Sequence, residues 1–253
     1  MKYIRFNHKN KAVWAVLDGD TAKILAKAPY EGCEYTGEEV KTEGIELLVP
    51  SEPTKIVAVG KNYFDHIKEL GGDSAPVPKN PILFIKPTTA LLAQNGKIKY
   101  PACSERVDHE AELAIVIKKE AKNVKAENAL DYILGYTCLN DVTARDIQSA
   151  DGQWTRAKSF DTFAPVGPLV TDEIDPDNTK VECRVNGVVK QSASTSLFMW
   201  KIPQLIEFIT ECMTLLPGDI VTTGTPSGIS AMNRGDKVEV ELEGIGTLIN
   251  YVE

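Results

Sequence analysis

Asp108-His109-Glu110-Ala111-Glu112-Leu113-Ala114-Ile115-Val116-Ile117 alternates acidic and apolar residues and then turns continuously apolar. That is the pattern of a strand running from a polar end into a core. On a strand, residues two apart share a face, so Glu110 and Glu112 stand side by side and Ala114 and Val116 carry the same face inward. Two neighbouring carboxylates repel each other, and burial sharpens the repulsion. A divalent cation relieves both effects, and oxygen-only ligands select magnesium, manganese or calcium over zinc. The alternative is a strand end whose two glutamates face solvent.

The flanking sequence is rich in strands. Residues 1–50 predict a small β unit, with strands at 2–6, 12–18 and 21–26 separated by turns at His8–Asn10 and Asp18–Asp20. Pro50-Ser51-Glu52-Pro53 marks a boundary, giving a main domain over 51–253. There, residues 55–60 and 82–86 read as strands and 63–70 as a helix stopped by Gly71-Gly72. Residues 73–81 read as a Pro-rich loop, 126–133 and 142–148 as helical, and 135–139 as extended. Asn186-Gly187 between 181–185 and 188–191 is a hairpin signal. Leu205, Ile206, Ile209, Met213 and Leu216 form one stripe of a helix over 202–215, with Pro203 in its first turn. Strands near 219–223, 237–242 and 246–252 close the chain. Helices do not alternate regularly with strands, which favours a strand-rich α+β fold over a doubly wound sheet.

Composition narrows the function. The 253 residues are 43% apolar and 25% charged, enough for a sizeable core. A net charge of -8 with no basic cluster argues against nucleic-acid binding. No apolar run approaches a membrane span, and the N-terminus lacks an apolar signal core, so a cytoplasmic protein is expected. The five cysteines form no C-x-x-C pair and read as reduced thiols.

Other residues carry chemistry. Asp141 stands between a strand and a helix, as a third carboxylate ligand or as an N-cap. Arg145 and Gln148 follow one and two turns later, suited to a substrate carboxylate or, for Arg145, to an i,i+4 pair with Asp141. His66 and Glu69 are three apart on one predicted turn, where a carboxylate would fix the imidazole tautomer for water activation; a surface pair is the alternative. Lys158 lies between Trp154 and Phe160, either in an apolar setting or solvated. The Thr222–Gly228 turn offers hydroxyls and amides to an anion but lacks the lysine of a phosphate loop.

Taken together, these segments resemble the fumarylacetoacetate hydrolase family. The matching pieces are Val59-Gly60-Lys61-Asn62-Tyr63 with His66 and Glu69, Phe84-Ile85-Lys86-Pro87, and His109-Glu110-Ala111-Glu112-Leu113. They continue with Asn140-Asp141-Val142-Thr143-Ala144-Arg145-Asp146, residues 154–160, and Thr223-Gly224-Thr225-Pro226-Ser227-Gly228, in family order across roughly residues 55 to 252. The resemblance implies a mixed β-sandwich roll, a homodimer, and Mg2+ or Mn2+ held by Glu110, Glu112 and Asp141. It implies a water-activating dyad of His66 and Glu69, an active-site Lys158, and substrate contacts from Lys61, Tyr63, Arg145, Gln148 and Thr225. Two features depart from the family pattern. The N-terminal unit is short, as in bacterial and acylpyruvate hydrolase-like members. Lys61 also stands where many relatives carry Arg, and lysine lacks the planar fork.

The expected activity is a metal-dependent carbon–carbon hydrolase acting on a small 2,4-dioxo acid of the acylpyruvate type through a metal-stabilised enolate. Oxaloacetate decarboxylation or tautomerisation and 2-hydroxyhepta-2,4-diene-1,7-dioate isomerisation are the alternatives, since they share that enolate. A non-catalytic metal-binding protein is disfavoured by the presence of both the dyad and Lys158.

Overall fold

The computed structural model describes residues 1–253. Ala111–Ile117 is a strand with every residue buried. Leu113, Ile115 and Ile117 join one apolar cluster with Val181, Val240 and Leu248. Ala114 and Val116 join another with Trp14, Ile56 and Val170. Apolar layers on both faces are the physical reason the sequence stops alternating after Glu112.

This strand belongs to an eleven-stranded mixed sheet. From one edge the order is Tyr35–Lys41, Thr21–Leu25, Lys11–Asp18, Lys2–His8 and Ala164–Thr171. Ile133–Asn140, Ala111–Ile117, Ile220–Thr222, Ile56–Gly60 and Ile82–Lys86 complete the path, and Leu91–Leu92 adds to Ala164–Thr171 in parallel. A five-stranded sheet of Val188–Ser194, Lys180–Val185, Lys237–Leu242, Gly246–Val252 and Lys97–Ile98 packs through Val181, Val240 and Leu248 against it. Thr143–Ala144, Val107–Asp108 and Ala231–Met232 form a small third sheet. The result is a strand-rich α+β sandwich.

The N-terminal meander has four strands where the sequence predicts three, and Lys2–His8 pairs antiparallel with Ala164–Thr171, so the meander extends the large sheet. The hairpin at Asn186-Gly187 forms with positive φ at both residues, 51° and 78°, as a two-residue primed turn requires.

Four α-helices are present: α1 Phe64–Gly71, α2 Arg145–Asp151, α3 Thr155–Lys158 and α4 Ile202–Cys212. Three expectations need correction. α4 stops at Cys212 instead of 215, because Met213 is extended (φ -139°) and Leu215 bridges to Ala121. α2 begins at Arg145 instead of 142, because Thr143–Ala144 pairs with Val107–Asp108. Ala126–Tyr132 is a 3-10 helix. No helix is long and apolar enough to cross a membrane.

Candidate metal centre and active site

Backbone pairing brings the three carboxylates together. Ala111 is opposite Asn140 in the antiparallel register, and the Asp141 amide donates to the Glu110 carbonyl at 2.8 Å. The Asn140 side chain accepts from the Glu110 amide at 2.9 Å, which fixes the strand end. Asp141 therefore lands beside Glu110 despite its distance along the chain. One oxygen from each of Glu110, Glu112 and Asp141 lies within 4.8 Å of the others. The three residues are 4%, 1% and 1% exposed, which removes the reading of solvated glutamates. Asp141 caps no helix: the residue preceding α2 is Ala144, and it makes no side-chain cap.

The donor set fits a hard divalent cation, being buried and made only of oxygens. Glu112 supplies an independent sign. Burial, then the facing Asp141 and Glu110 carboxylates, raise its carboxyl well above the usual range. A carboxyl that resists ionisation because two others face it marks a site short of positive charge.

Part of that charge comes from the chain. Lys158 is 2% exposed, and its Nζ donates to Glu110 Oε2 at 2.7 Å and Asp141 Oδ2 at 2.5 Å. Burial opposes its charge, but Asp141 and Glu110 outweigh burial and raise its pKa. The solvated reading of Lys158 is thus excluded. Lys86, fully buried, donates to Asp141 Oδ1 at 2.5 Å and to the Val142 carbonyl at 3.2 Å. Burial pulls its pKa down against the opposing pull of Asp141. On Glu110, burial acts upward, yet Lys158 and Arg145 hold the carboxyl below its usual range.

Arg145 does not pair with Asp141, and its guanidinium is not left open for a substrate. It donates to Asp108 Oδ2 at 2.9 Å, to Gln148 Oε1 at 2.6 Å and to Glu110. Asp108 also accepts a two-pronged contact from Arg106 at 2.8 and 3.1 Å.

α1 carries the dyad. His66 Nδ1 lies 3.0 Å from Glu69 Oε2, and Glu69 Oε1 accepts from the Gly228 amide at 2.9 Å. Gly228 is needed there: its φ is +100°, and a Cβ would stand 2.1 Å from the Lys190 carbonyl. His66 faces a cavity of about 230 Å³ that is also lined by Lys61, Glu110, Glu112, Asp141, Arg145, Gln148, Lys158 and Thr225. Tyr63 lies outside that cavity. Its ring packs edge-on to Phe198 at 5.1 Å, because it pairs backbone-to-backbone with that residue. Thr225 lines the cavity, but its hydroxyl donates to the Ala111 carbonyl at 2.9 Å and accepts from Gln191 Nε2 at 2.8 Å. It therefore has no proton to offer a substrate. Lys61 holds a left-handed backbone, φ 58°, which is uncommon for a residue other than glycine. The cavity's ion pairs engage Lys86, Arg145 and Lys158, leaving Lys61 as its uncommitted cation.

Several residues were invisible to local sequence reading. Lys86 sits inside an apolar strand with no local partner. Gln191 is fully buried in the five-stranded sheet and accepts from the Ala111 amide at 3.0 Å while holding Thr225 and the Pro226 carbonyl at 2.8 Å. Buried His109 lies 3.0 Å from the same Gln191 oxygen and 2.9 Å from Ser230 Oγ, so it supports the strand end and stays out of the cavity.

Known proteins resemble this chain along most of its length. The family described as fumarylacetoacetate (FAA) hydrolase C-terminal matches residues 55–253, and that described as Rv2993c-like, N-terminal matches residues 1–50. A protein of Methanocaldococcus jannaschii is 55% identical over 202 residues, covering 80% of this chain and 84% of its own length. The mitochondrial oxaloacetate tautomerase of Rattus norvegicus is 41% identical over 220 residues, covering 82% of this chain and 69% of its own. The crystal structure of 2-hydroxyhepta-2,4-diene-1,7-dioate isomerase from Mycobacterium marinum superposes with a TM-score of 0.92 at 42% identity, covering 100% of this chain and 98% of that one. The family model spans most of the chain and the fold matches that of its relatives, so the chain belongs to the fumarylacetoacetate hydrolase family.

Proposed function

We propose that this family enzyme is a magnesium- or manganese-dependent hydrolase that cleaves a 2,4-dioxo acid of the acylpyruvate type into pyruvate and a carboxylic acid. The observation that carries the reading is the His66–Glu69 dyad, whose imidazole lines the same cavity as the three buried carboxylates. Glu110, Glu112 and Asp141 would hold the ion, which when bound supplies Lewis-acid polarisation of the 2-oxo group and neutralises charge.

The protein's own groups account for the remaining steps. Glu69 accepts the Nδ1 proton of His66, which leaves Nε2 as a base for a water molecule. The water oxygen adds to the C4 carbonyl, the C3–C4 bond breaks, and its electron pair passes to the pyruvate fragment as an enolate that then takes a proton. The Lys158 ammonium, fixed by Glu110 and Asp141, stabilises that developing charge in a site removed from solvent. Together with an ion, Lys86, Lys158 and Arg145 more than balance the three carboxylates, so an anionic substrate is attracted although the whole chain carries -8.

A second reading is favoured by the relatives: keto–enol tautomerisation of oxaloacetate or isomerisation of a hydroxydienoate, as the rat and Mycobacterium marinum proteins are named. It needs the same dyad as a proton shuttle and no added water. Incubation of acetylpyruvate in 18O-water with magnesium separates the two. Hydrolysis places one 18O in acetate, and His66→Ala lowers kcat by roughly 10²–10⁴-fold. Intact acetylpyruvate, beside rapid oxaloacetate tautomerisation, would replace the first reading with the second.

A further inference from the structure

Beside the catalytic cavity lies a second, larger cleft of about 540 Å³ along residues 82–87 and the Gly152–Ser159 segment. Phe84 and Trp154 are walls of both spaces, their rings edge to face at 5.4 Å. Trp154 reaches this position because residue 60 is glycine: a Cβ there would stand 2.3 Å from the indole.

The edge strand Ile82–Lys86 defines a direction. Residues two apart share a face. Lys86 Nζ lies on Asp141, and the Phe84 ring centre lies 5.2 Å from Lys158 Nζ. Ile82 is the next residue outward on that face, and it lines the second cleft. Residues 82 to 86 span about 13 Å at the usual rise per residue, so this edge strand runs from the carboxylate cluster to the cleft, which also takes Leu83 and Ile85 from its other face.

The two spaces differ in charge. The cavity holds three carboxylates and several cations. Ile82, Leu83, Ile85 and Pro87 dominate the cleft, its polar members are Gln153, Thr155 and Ser159, and no ionisable side chain lines it. A distal carboxylate would lose hydration there without gaining a cation, whereas an alkyl chain gains by leaving water.

We infer that the cleft is the site for an uncharged, apolar chain on the substrate. The enzyme then prefers 2,4-dioxo acids with an extended acyl group over short dicarboxylates; this inference rests on the 2-oxo acid reading of the cavity.

The test is calorimetric titration of the magnesium-supplemented protein with straight-chain 2-oxo acids from pyruvate to 2-oxooctanoate. Once the chain passes Phe84, affinity rises about fourfold per methylene. A 2-oxo dicarboxylate binds more weakly than the monoacid of equal length. Ile82→Asp flattens the rise and Ile82→Leu keeps it; reading each slope within one protein cancels any general loss of folded material. A flat series with the wild-type protein overturns the inference, including the case in which another polypeptide covers this sheet edge. Dioxo acids of matching lengths, assayed for cleavage in parallel, distinguish the two claims. A rising binding series without cleavage sinks hydrolysis and leaves the cleft; a flat series with acetylpyruvate cleaved does the reverse.

Discussion

Two buried carboxylate sites in this molecule behave in opposite ways. Asp219 has a side chain with 0% exposure. Its Oδ1 accepts from the Thr54 amide at 2.8 Å, the Thr54 hydroxyl at 2.7 Å and the Lys55 amide at 3.2 Å. Its Oδ2 accepts from the Leu216 amide at 2.8 Å and pairs with the Lys55 ammonium. Burial acts upward on its pKa, but the Leu216 amide, Lys55 and Thr54 together hold it below the usual range. Glu112 is buried as deeply, accepts from the Gly224 amide at 2.9 Å, and faces two other carboxylates; its carboxyl is raised. Burial is common to both, so donor supply separates a carboxylate that ties segments together from one suited to a cation.

Four measurements test that contrast. Glu112→Gln abolishes tight metal binding and lowers kcat/KM at least about a thousandfold, since several kcal/mol of electrostatic stabilisation go with the ion. The metal-free variant nonetheless melts no lower than the wild type, because a neutral amide replaces a carboxyl that burial and two facing carboxylates already keep from ionising; a lower melting temperature would contradict the reading of Glu112. Asp219→Asn destabilises by about 3 kcal/mol in urea unfolding, as amides at Thr54 and Leu216 lose a charged acceptor, and its metal titration matches wild type. The stability from Asp219 is present above its unfolded pKa near 3.8 and disappears as pH falls through the lower folded value, so variant and wild type converge in acid.

The third measurement concerns protons. In the metal-free protein Glu112 keeps its proton above its ordinary value of 4.5. Its contribution to stability is full below that pH and declines as pH rises toward the raised folded value. A cation must displace the proton, so affinity climbs about tenfold per pH unit across that window. Calorimetry in two buffers of unlike ionisation heat reads the released proton directly; heats independent of buffer would mean Glu112 is already ionised. The smallest effect is expected from Gln148→Ala, which removes one hydrogen bond from Arg145 and raises KM a few-fold, about 1 kcal/mol.

Much of the site was legible because its chemistry follows chain periodicity. Glu112 is on the strand Ala111–Ile117 and Glu110 is the residue just before it, and His66 and Glu69 are one turn apart on a helix. Asp141 was legible locally only as a ligand or an N-cap, since its approach to the glutamates depends on the register of Ile133–Asn140. Lys86 and Gln191 were not legible, because a side chain inside an apolar strand or on the far sheet gives no local sign of its partner. In the fold, the strand Ala164–Thr171 escaped notice because Pro165, Gly167 and Pro168 are strand-weakening residues, yet it joins the N-terminal meander to the main sheet. Tyr35–Lys41 escaped because an exposed edge strand needs no apolar alternation. Arg145 was read as a substrate contact or a partner of Asp141, since its actual partners Asp108 and Glu110 reach it only through tertiary folding.

The bond from the Gly228 amide to Glu69 has a kinetic meaning. A hydrogen bond to a charged acceptor contributes about 1.5–3 kcal/mol. Ile67 on the same helix is buried, so packing holds α1 as well. Losing the Gly228 bond would therefore free the Glu69 carboxylate to turn away from the imidazole without releasing the helix, and the base would lose its orientation while the fold stayed intact.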